Sequence, residues 1–190
     1  MPTSNDSEHK RVVFALAGRR LDAPDVKQRR FPAENVDEVR ARLRSLFAAR
    51  NAAVLVSSAA CGADLLALEA AESQHMKRRI VLPFPRDVFR RTSVVDRPGE
   101  WGTIYDRVLD KVENENGLVV LGCSEDDPSA YTATNHTILD EAVSLAHQQR
   151  LGVAAVVVWD QQSRGPDDIT EQFSKEASRR NIEVLSISTL

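Results

Sequence analysis

The chain has 190 residues, 42% of them hydrophobic and 28% charged, which is enough apolar material for the core of one α/β domain and excludes a disordered chain. Its 25 Lys and Arg against 28 Asp and Glu leave a formal net charge of −3, which argues against a dedicated nucleic-acid coat. Aromatic residues make up 5%, too few to offer a run of stacking platforms to single-stranded nucleic acid.

Residues 1–10 are polar and expected to form a flexible tail, with a single domain over 11–190. Val12–Gly18 is a continuous apolar run ended by glycine, which predicts a strand buried on both faces. Val36, Val39, Leu43, Leu46 and Phe47 recur at helical spacing over Val36–Arg50, with Asn35 as the expected N-cap. The alternation continues with a strand at Ala53–Ser57, a helix at Ala63–His75 and a strand at Arg79–Pro83. A long loop follows, carrying Arg86, Arg90, Arg91 and Arg97 among acidic and apolar residues, which predicts a mixed-charge solvated face. Beyond it come a helix at Trp101–Glu113, a strand at Gly117–Gly122 and a helix at Thr134–Arg150. Val153–Trp159 is the most apolar strand, and Ile169–Arg180 and Glu183–Ile187 close the chain as helix and strand.

Six short apolar strands alternating with helices predict an α/β, Rossmann-like, doubly wound parallel sheet with helices on both faces. The order expected for such a sheet is 3-2-1-4-5-6, with the first and fourth strands adjacent across the switch point. Ligands bind at carboxyl ends of strands there, which directs attention to Gly18 and Gly122, flanked by the loops after Ser58 and Trp159.

Three segments at these strand ends carry candidate chemistry. Gly18 permits a sharp exit from the first strand, and the adjacent guanidiniums of Arg19 and Arg20 offer forked hydrogen bonds to phosphate, or else pair with nearby carboxylates. The turn from Ser57 to Asp64, with Ser58 and Gly62, puts small residues and the N–H groups of a helix start where an anion can approach, or lets the helix sit close on the sheet. It holds neither GxGxxG nor the Walker A Gly-Lys-Ser/Thr step. The third segment, Asp160–Thr170, contains Gly165 and Thr170 near a phosphate or ribose, although Gly-Pro-Asp-Asp is also an ordinary turn with capping acids. The four histidines are scattered, and only His136, beside Asn135, falls near the expected crevice.

Cys61 and Cys123 lie in separate apolar segments without metal-ligand spacing and read as reduced core thiols of a cytoplasmic protein. No metal and no cofactor are expected. The N-terminus has no apolar core of a secretion signal, and no stretch of about 18 apolar residues occurs, so no membrane partner is expected. Self-association as a homo-oligomer is compatible with such folds, and no interface signature is legible.

Phe14–Arg20, the Arg30-Phe31-Pro32 segment, the turn Ser57-Ser58-Ala59-Ala60-Cys61-Gly62-Ala63-Asp64 and Gly165–Thr170 together resemble the SLOG superfamily, which unites Smf/DprA DNA-processing proteins with LOG phosphoribohydrolases. The resemblance spans roughly the whole chain and implies a Rossmann-like fold that binds nucleotides or nucleotide-derived ligands at its strand ends, in some members as a sensor in signalling systems. Position by position, it implies that Gly18 and Arg19 form the first-strand motif, Ser58, Gly62 and Asp64 the second-strand turn, and Gly165 and Thr170 the last loop. LOG hydrolases resemble Pro-Gly-Gly-x-Gly-Thr-x-x-Glu in that loop. This chain departs from the pattern, with Asp167 and Asp168 at glycine-rich positions and Phe173 three residues after Thr170, where the family has its catalytic glutamate.

Three functions follow as expectations. The first is a nucleotide or nucleotide-derivative binding and sensing domain using Gly18, Arg19, Arg20, Ser58, Gly62, Asp64, Gly165 and Thr170. The second is an N-glycosidase acting on a nucleoside monophosphate, with Asp64 or Glu171 as the catalytic candidate. The third is a DNA-processing module of the DprA type, against which the acidic balance and scarce aromatics count.

Overall fold

The computed structural model describes residues 11–190; the tail expected over 1–10, with His9, lies outside the described residues. Among the described residues six strands and six α-helices follow one another, with two helices between β3 and β4: β1 Val12–Gly18, α1 Val36–Ala49, β2 Ala52–Ser57, α2 Ala63–Ser73, β3 Lys77–Leu82, α3 Arg86–Ser93, α4 Trp101–Asn114, β4 Leu118–Val120, α5 Ala130–Gln149, β5 Gly152–Trp159, α6 Ile169–Arg179 and β6 Glu183–Ser188. All strand pairs are parallel.

Alternate residues of β1 explain the layering. Phe14 and Leu16 join the core under α1, α2 and α4, while Val13, Ala15 and Ala17 join the core under α5 and α6. Because both faces are covered, every strand residue from Val12 to Leu16 is buried, and the strand reads as an unbroken apolar run. The result is a Rossmann-like, doubly wound α/β fold. Among the described residues no helix is long and apolar enough to cross a membrane.

The strand order is β4-β3-β2-β1-β5-β6, which corrects the expected 3-2-1-4-5-6. β5, not β4, lies beside β1, and the ladder runs from Val12 opposite Gly152 to Gly18 opposite Val158. Burial explains the difference. β4 is three residues long and Val120 is 44% exposed, which suits an edge, whereas the eight-residue β5 carries five consecutive buried residues and needs neighbours on both sides. The return from the β4 edge to β5 crosses the sheet, so the 20-residue α5 packs over β1, β2, β3 and β5. The switch point therefore lies between β1 and β5, and the Gly122 loop sits at the far edge.

Two local expectations also change. The expected loop after β3 contains α3, whose Phe89 is buried and whose Arg86 and Arg90 pair with Asp106 on α4; a helix anchored by one aromatic shows no apolar stripe. Asn35 does not cap α1, and its Nδ2 donates instead to the Thr189 carbonyl at 2.9 Å, tying the helix start to the chain end. α5 begins one turn before Thr134, at Ala130.

Close approach at Gly18 seats α2 on the sheet. A Cβ there would lie 2.4 Å from the Ala63 Cβ and 2.9 Å from the Val158 Cβ. Gly18→Ala is therefore expected to cost about 1–3 kcal/mol in urea unfolding. Gly152→Ala, whose new carbon meets Val12 Cγ2 at 3.6 Å, should stay within about 0.5 kcal/mol; equal effects would contradict the close seating.

Candidate functional site

The carboxyl ends of β1, β2 and β5 meet above the switch point. The Arg19 N–H donates to Val158 O at 2.8 Å, and the Arg19 carbonyl accepts from the Ala63 N–H at 3.1 Å, so the exit from β1 is stitched to both β5 and α2. Gly62 makes this crossing possible, with φ of +95° and a position at which a Cβ would lie 2.7 Å from Leu21 N. The turn's amides are largely used within the protein: Cys61 N–H donates to Ser93 O at 3.1 Å and Ala60 N–H to Asp64 Oδ2 at 3.2 Å. Gly62 thus serves the crossing of two backbone segments, and the helix start does not present an open row of donors.

Arg19, expected at a phosphate, is only 2% exposed and is enclosed by carboxylates. Its Nε donates to Asp160 Oδ1 at 2.9 Å, and Nη1 and Nη2 grip Asp168 Oδ1 and Oδ2 at 2.6 and 2.8 Å. Nη2 also reaches the Gln162 carbonyl at 2.7 Å, and the guanidinium lies 5.7 Å from the centre of the Trp159 ring. Arg30 braces the other Asp160 oxygen at 2.6 Å. Asp168 meanwhile caps α6, accepting from the N–H groups of Thr170 and Glu171 at 3.1 Å each. Burial alone would raise the Asp168 pKa, but its bonds from Arg19, Glu171 and Arg164 outweigh that and take it down to about 2. Asp160 and Asp168 of the third segment thus hold an arginine, and Asp168 a helix start, while Asp167 lines the adjoining cavity.

Beside this network lies a cavity of about 290 Å³, lined by Arg20, Ser58, Asp64, Tyr131, Asn135 and Arg164, among others. Among the described residues, buried side-chain atoms without a hydrogen-bond partner occur on Arg20, Ser58, Asp64 and Arg78, and the first three belong to this cavity. They are Arg20 Nε, Ser58 Oγ and Asp64 Oδ1. Buried polar groups are nearly always satisfied in folded proteins, so three in one cavity mark a place built to receive hydrogen-bonding atoms. Arg20 also pairs with Asp96 and lies beside the Cys61 thiol, whose pKa burial pushes up. Burial raises the Asp64 carboxyl to about 7, against lesser opposition from the Ala60 N–H and Arg20.

Arg164 at the rim was not singled out from the sequence. Its backbone N–H donates to Asp168 Oδ2 at 2.8 Å, while among the described residues no carboxylate forms an ion pair with its guanidinium. Desolvation and the nearby Arg19 and Arg30 charges lower its pKa, the signature of a cation in want of an anion. Tyr131, whose hydroxyl shares a 3.0 Å hydrogen bond with Ser93, and Asn135, whose Nδ2 donates to Ile169 O at 2.9 Å, also line the cavity. Asn135 was visible beside His136 in the sequence, but His136 is exposed and outside the lining.

The other expected residues divide. Gly18 and Thr170 line the cavity, whereas Gly165 does not, and a Cβ on it would meet nothing within 4 Å. Glu171 also lies outside the lining, its carboxylate held by Ser163 Oγ at 2.5 Å and Lys175 Nζ at 2.9 Å, which lowers its pKa. Asp64 is therefore the candidate acid that faces the cavity.

No protein-family model matches the chain, and no curated protein matches it. A solved structure of DNA processing protein A (DprA) from Streptococcus pneumoniae is similar at 14% identity and a TM-score of 0.43, over 94% of this chain. The chain spans 59% of the length of that DprA chain.

Removing Arg19 takes the shared counter-charge from the buried carboxylates of Asp160 and Asp168, so Arg19→Met is expected to lose about 3 kcal/mol in urea unfolding, while Arg164→Ala stays within about 0.5 kcal/mol. The pH profile gives an independent check. Because the folded pKa of Asp64 stands above its unfolded value, the folded state holds a proton that the unfolded chain releases, and stability falls between about pH 4 and pH 7. Asp64→Asn, measured by unfolding across that range, should flatten this descent and be the more stable protein at pH 8 by roughly 4 kcal/mol. Asp168 acts in the opposite sense, its contribution being present above the unfolded carboxylate pKa and lost as pH falls towards about 2.

Proposed function

We propose that the switch-point cavity binds a nucleotide or nucleotide derivative, with phosphate at Arg20 and Arg164 and the hydrogen-bonding edge of the sugar or base on Ser58 and Asp64. The observation that carries this reading is the convergence of three buried, unpaired polar atoms on one cavity at the crevice where doubly wound sheets take their ligands. Its 290 Å³ lies at the small end of the roughly 300–1,000 Å³ of small-molecule sites, which favours a mononucleotide-sized ligand over a wholly buried dinucleotide. Phe89, lining the same cavity, offers an apolar ring to a base. The resemblance of the Ser57–Asp64 turn to the SLOG superfamily supports the same ligand class. The free thiols of Cys61 and Cys123 are in keeping with a reducing, cytoplasmic setting.

A second reading, hydrolysis of an N-glycosidic bond, is favoured by one specific observation. The Asp64 carboxyl stands at about 7 in a site shielded from solvent, where it can give or take a proton at neutral pH. Protonated Asp64 then gives its proton to the base as the N-glycosidic bond breaks, and the resulting carboxylate takes a proton from the water that adds at the anomeric carbon, leaving free base and sugar phosphate.

Thermal-shift titration against nucleoside monophosphates, NAD, ADP-ribose, cyclic nucleotides and short single-stranded DNA, with chromatography of each hit, separates these readings. Binding of an intact nucleotide is expected. Arg20→Ala and Arg164→Ala should each weaken it by about tenfold or more, the loss of one charged hydrogen bond. A ligand recovered as free base, with turnover abolished in Asp64→Asn, establishes the hydrolase instead. Stabilisation by DNA alone, falling steeply with salt, would assign the chain to nucleic acid. Absence of any nucleotide effect refutes the proposed ligand class.

A further inference from the structure

At the opposite end of the sheet, under the amino ends of β3 and β4, a groove of about 800 Å³ runs between the last turns of α2, α4 and α5. Arg78 enters it from β3. Its side chain is 4% exposed, yet Nε and Nη1 have no hydrogen-bond partner. Glu72 and Glu115 form long ion pairs with its Nη1 and Nη2, at 3.5 and 3.7 Å. Neither makes a hydrogen bond to it, and Glu72 is already shared by Arg107 and Lys111. A guanidinium removed from water with its donors unused is as exceptional as the three orphan atoms of the switch-point cavity.

Charge defines the missing acceptor. The groove is lined by Lys77, Arg78, Arg79 and Lys111 against Glu72 and Glu115, an excess of two positive charges on a chain whose net charge is −3. The carbonyl ends of three helices close on this edge and favour cations, so an anion is held here by side chains and not by backbone N–H groups. Arg79 is committed to Glu141 at 2.8 Å and to the Asn116 carbonyl at 3.0 Å, and Lys111 to Glu72. Arg78, ion-paired to Glu72 and Glu115 but without a hydrogen bond, and the exposed Lys77 remain to meet a ligand; among the described residues neither makes a hydrogen bond through its side chain.

We infer that this groove is a second anion site, which takes a phosphate monoester group with Arg78 as its central donor and Lys77 at the rim. A phosphate monoester carries nearly two negative charges at neutral pH and several acceptor oxygens, matching both the charge excess and the free donors. The groove has room for a body attached to the phosphate. This inference stands independently of the ligand proposed for the switch-point cavity, from which it is separated by the length of the strands.

Inorganic phosphate and ribose 5-phosphate, titrated into the purified chain by calorimetry at constant ionic strength with citrate as a carboxylate control, test the assignment. In the Arg20→Ala, Arg164→Ala double variant, which removes the phosphate donors proposed for the switch-point cavity, saturable phosphate binding is expected to persist, and adding Arg78→Met should weaken it by about tenfold or more. Should Arg78→Met fail to fold, Lys77→Ala, which alters an exposed side chain, must still weaken binding several-fold. Tighter binding of ribose 5-phosphate than of phosphate identifies a phosphorylated metabolite as the occupant, and equal binding identifies free phosphate; both uphold the site. Loss of binding in Arg164→Ala but not in Arg78→Met would move the phosphate to the switch-point cavity and overturn the inference. Preference for citrate, or no saturable binding up to about 10 mM, would overturn it as well.

Discussion

The arrangement of the switch point depends on the buried guanidinium of Arg19 clamped between Asp160 and Asp168. Three structural elements converge on that one group: the end of β1 supplies the arginine, the end of β5 supplies Asp160, and the start of α6 supplies Asp168. A buried cation without these partners would carry a large desolvation penalty, and either carboxylate alone would do the same. The geometry is thereby restricted to one solution, in which the loop after β5 folds back over β1 and α6 starts where Asp168 can serve both as cap and counter-ion. Arg30 and the Trp159 ring complete the enclosure.

That clamp also determines what the adjoining cavity can do. Arg19 spends four hydrogen bonds on Asp160, Asp168 and the Gln162 carbonyl, so its charge is neutralised within the protein although it lines the cavity, and the positive charge offered to a ligand comes from Arg20 and Arg164. Arg164 is held by its backbone to Asp168, on the far side of the same clamp, so its position follows from the Arg19 pairing even though its guanidinium stays free of ion pairs. Asp64 occupies the reverse situation. It is buried at the first turn of α2 with one oxygen on the Ala60 amide and the other unpaired, and burial therefore favours its neutral form. Two aspartates lining one cavity are pushed in opposite directions because one is hydrogen-bonded by a guanidinium fork and the other only by a backbone N–H.

The two ends of the sheet share a pattern. Apolar side chains fill the space between sheet and helices so completely that most buried polar atoms are satisfied, and the exceptions lie where strands end and helices begin or stop. At the carboxyl ends these exceptions surround an enclosed cavity; at the amino ends Arg78 lines a wider groove. Packing leaves room at such edges because loops there cannot interdigitate as strands and helices do.

Continuous apolar runs and helical periodicity made the α/β class, all six strands and five of the six helices legible in the sequence, because burial on both faces of a parallel sheet leaves a direct imprint on composition. The exception, α3, is anchored by Phe89 and by ion pairs to α4, and ion pairs across elements leave no periodic trace. Segment-level placement of the site was also legible, since Gly18, Ser58, Asp64 and Thr170 follow strand ends and line the cavity. The order of the strands was not, because it follows from which strand can tolerate an edge, a matter of exposure that β4 and β5 settle only when packed together. Nor could local sequence divide the arginines into those bound and those free: Arg19 meets partners 141 and 149 residues away, and only tertiary proximity decides that it belongs to the scaffold while Arg164 faces the cavity.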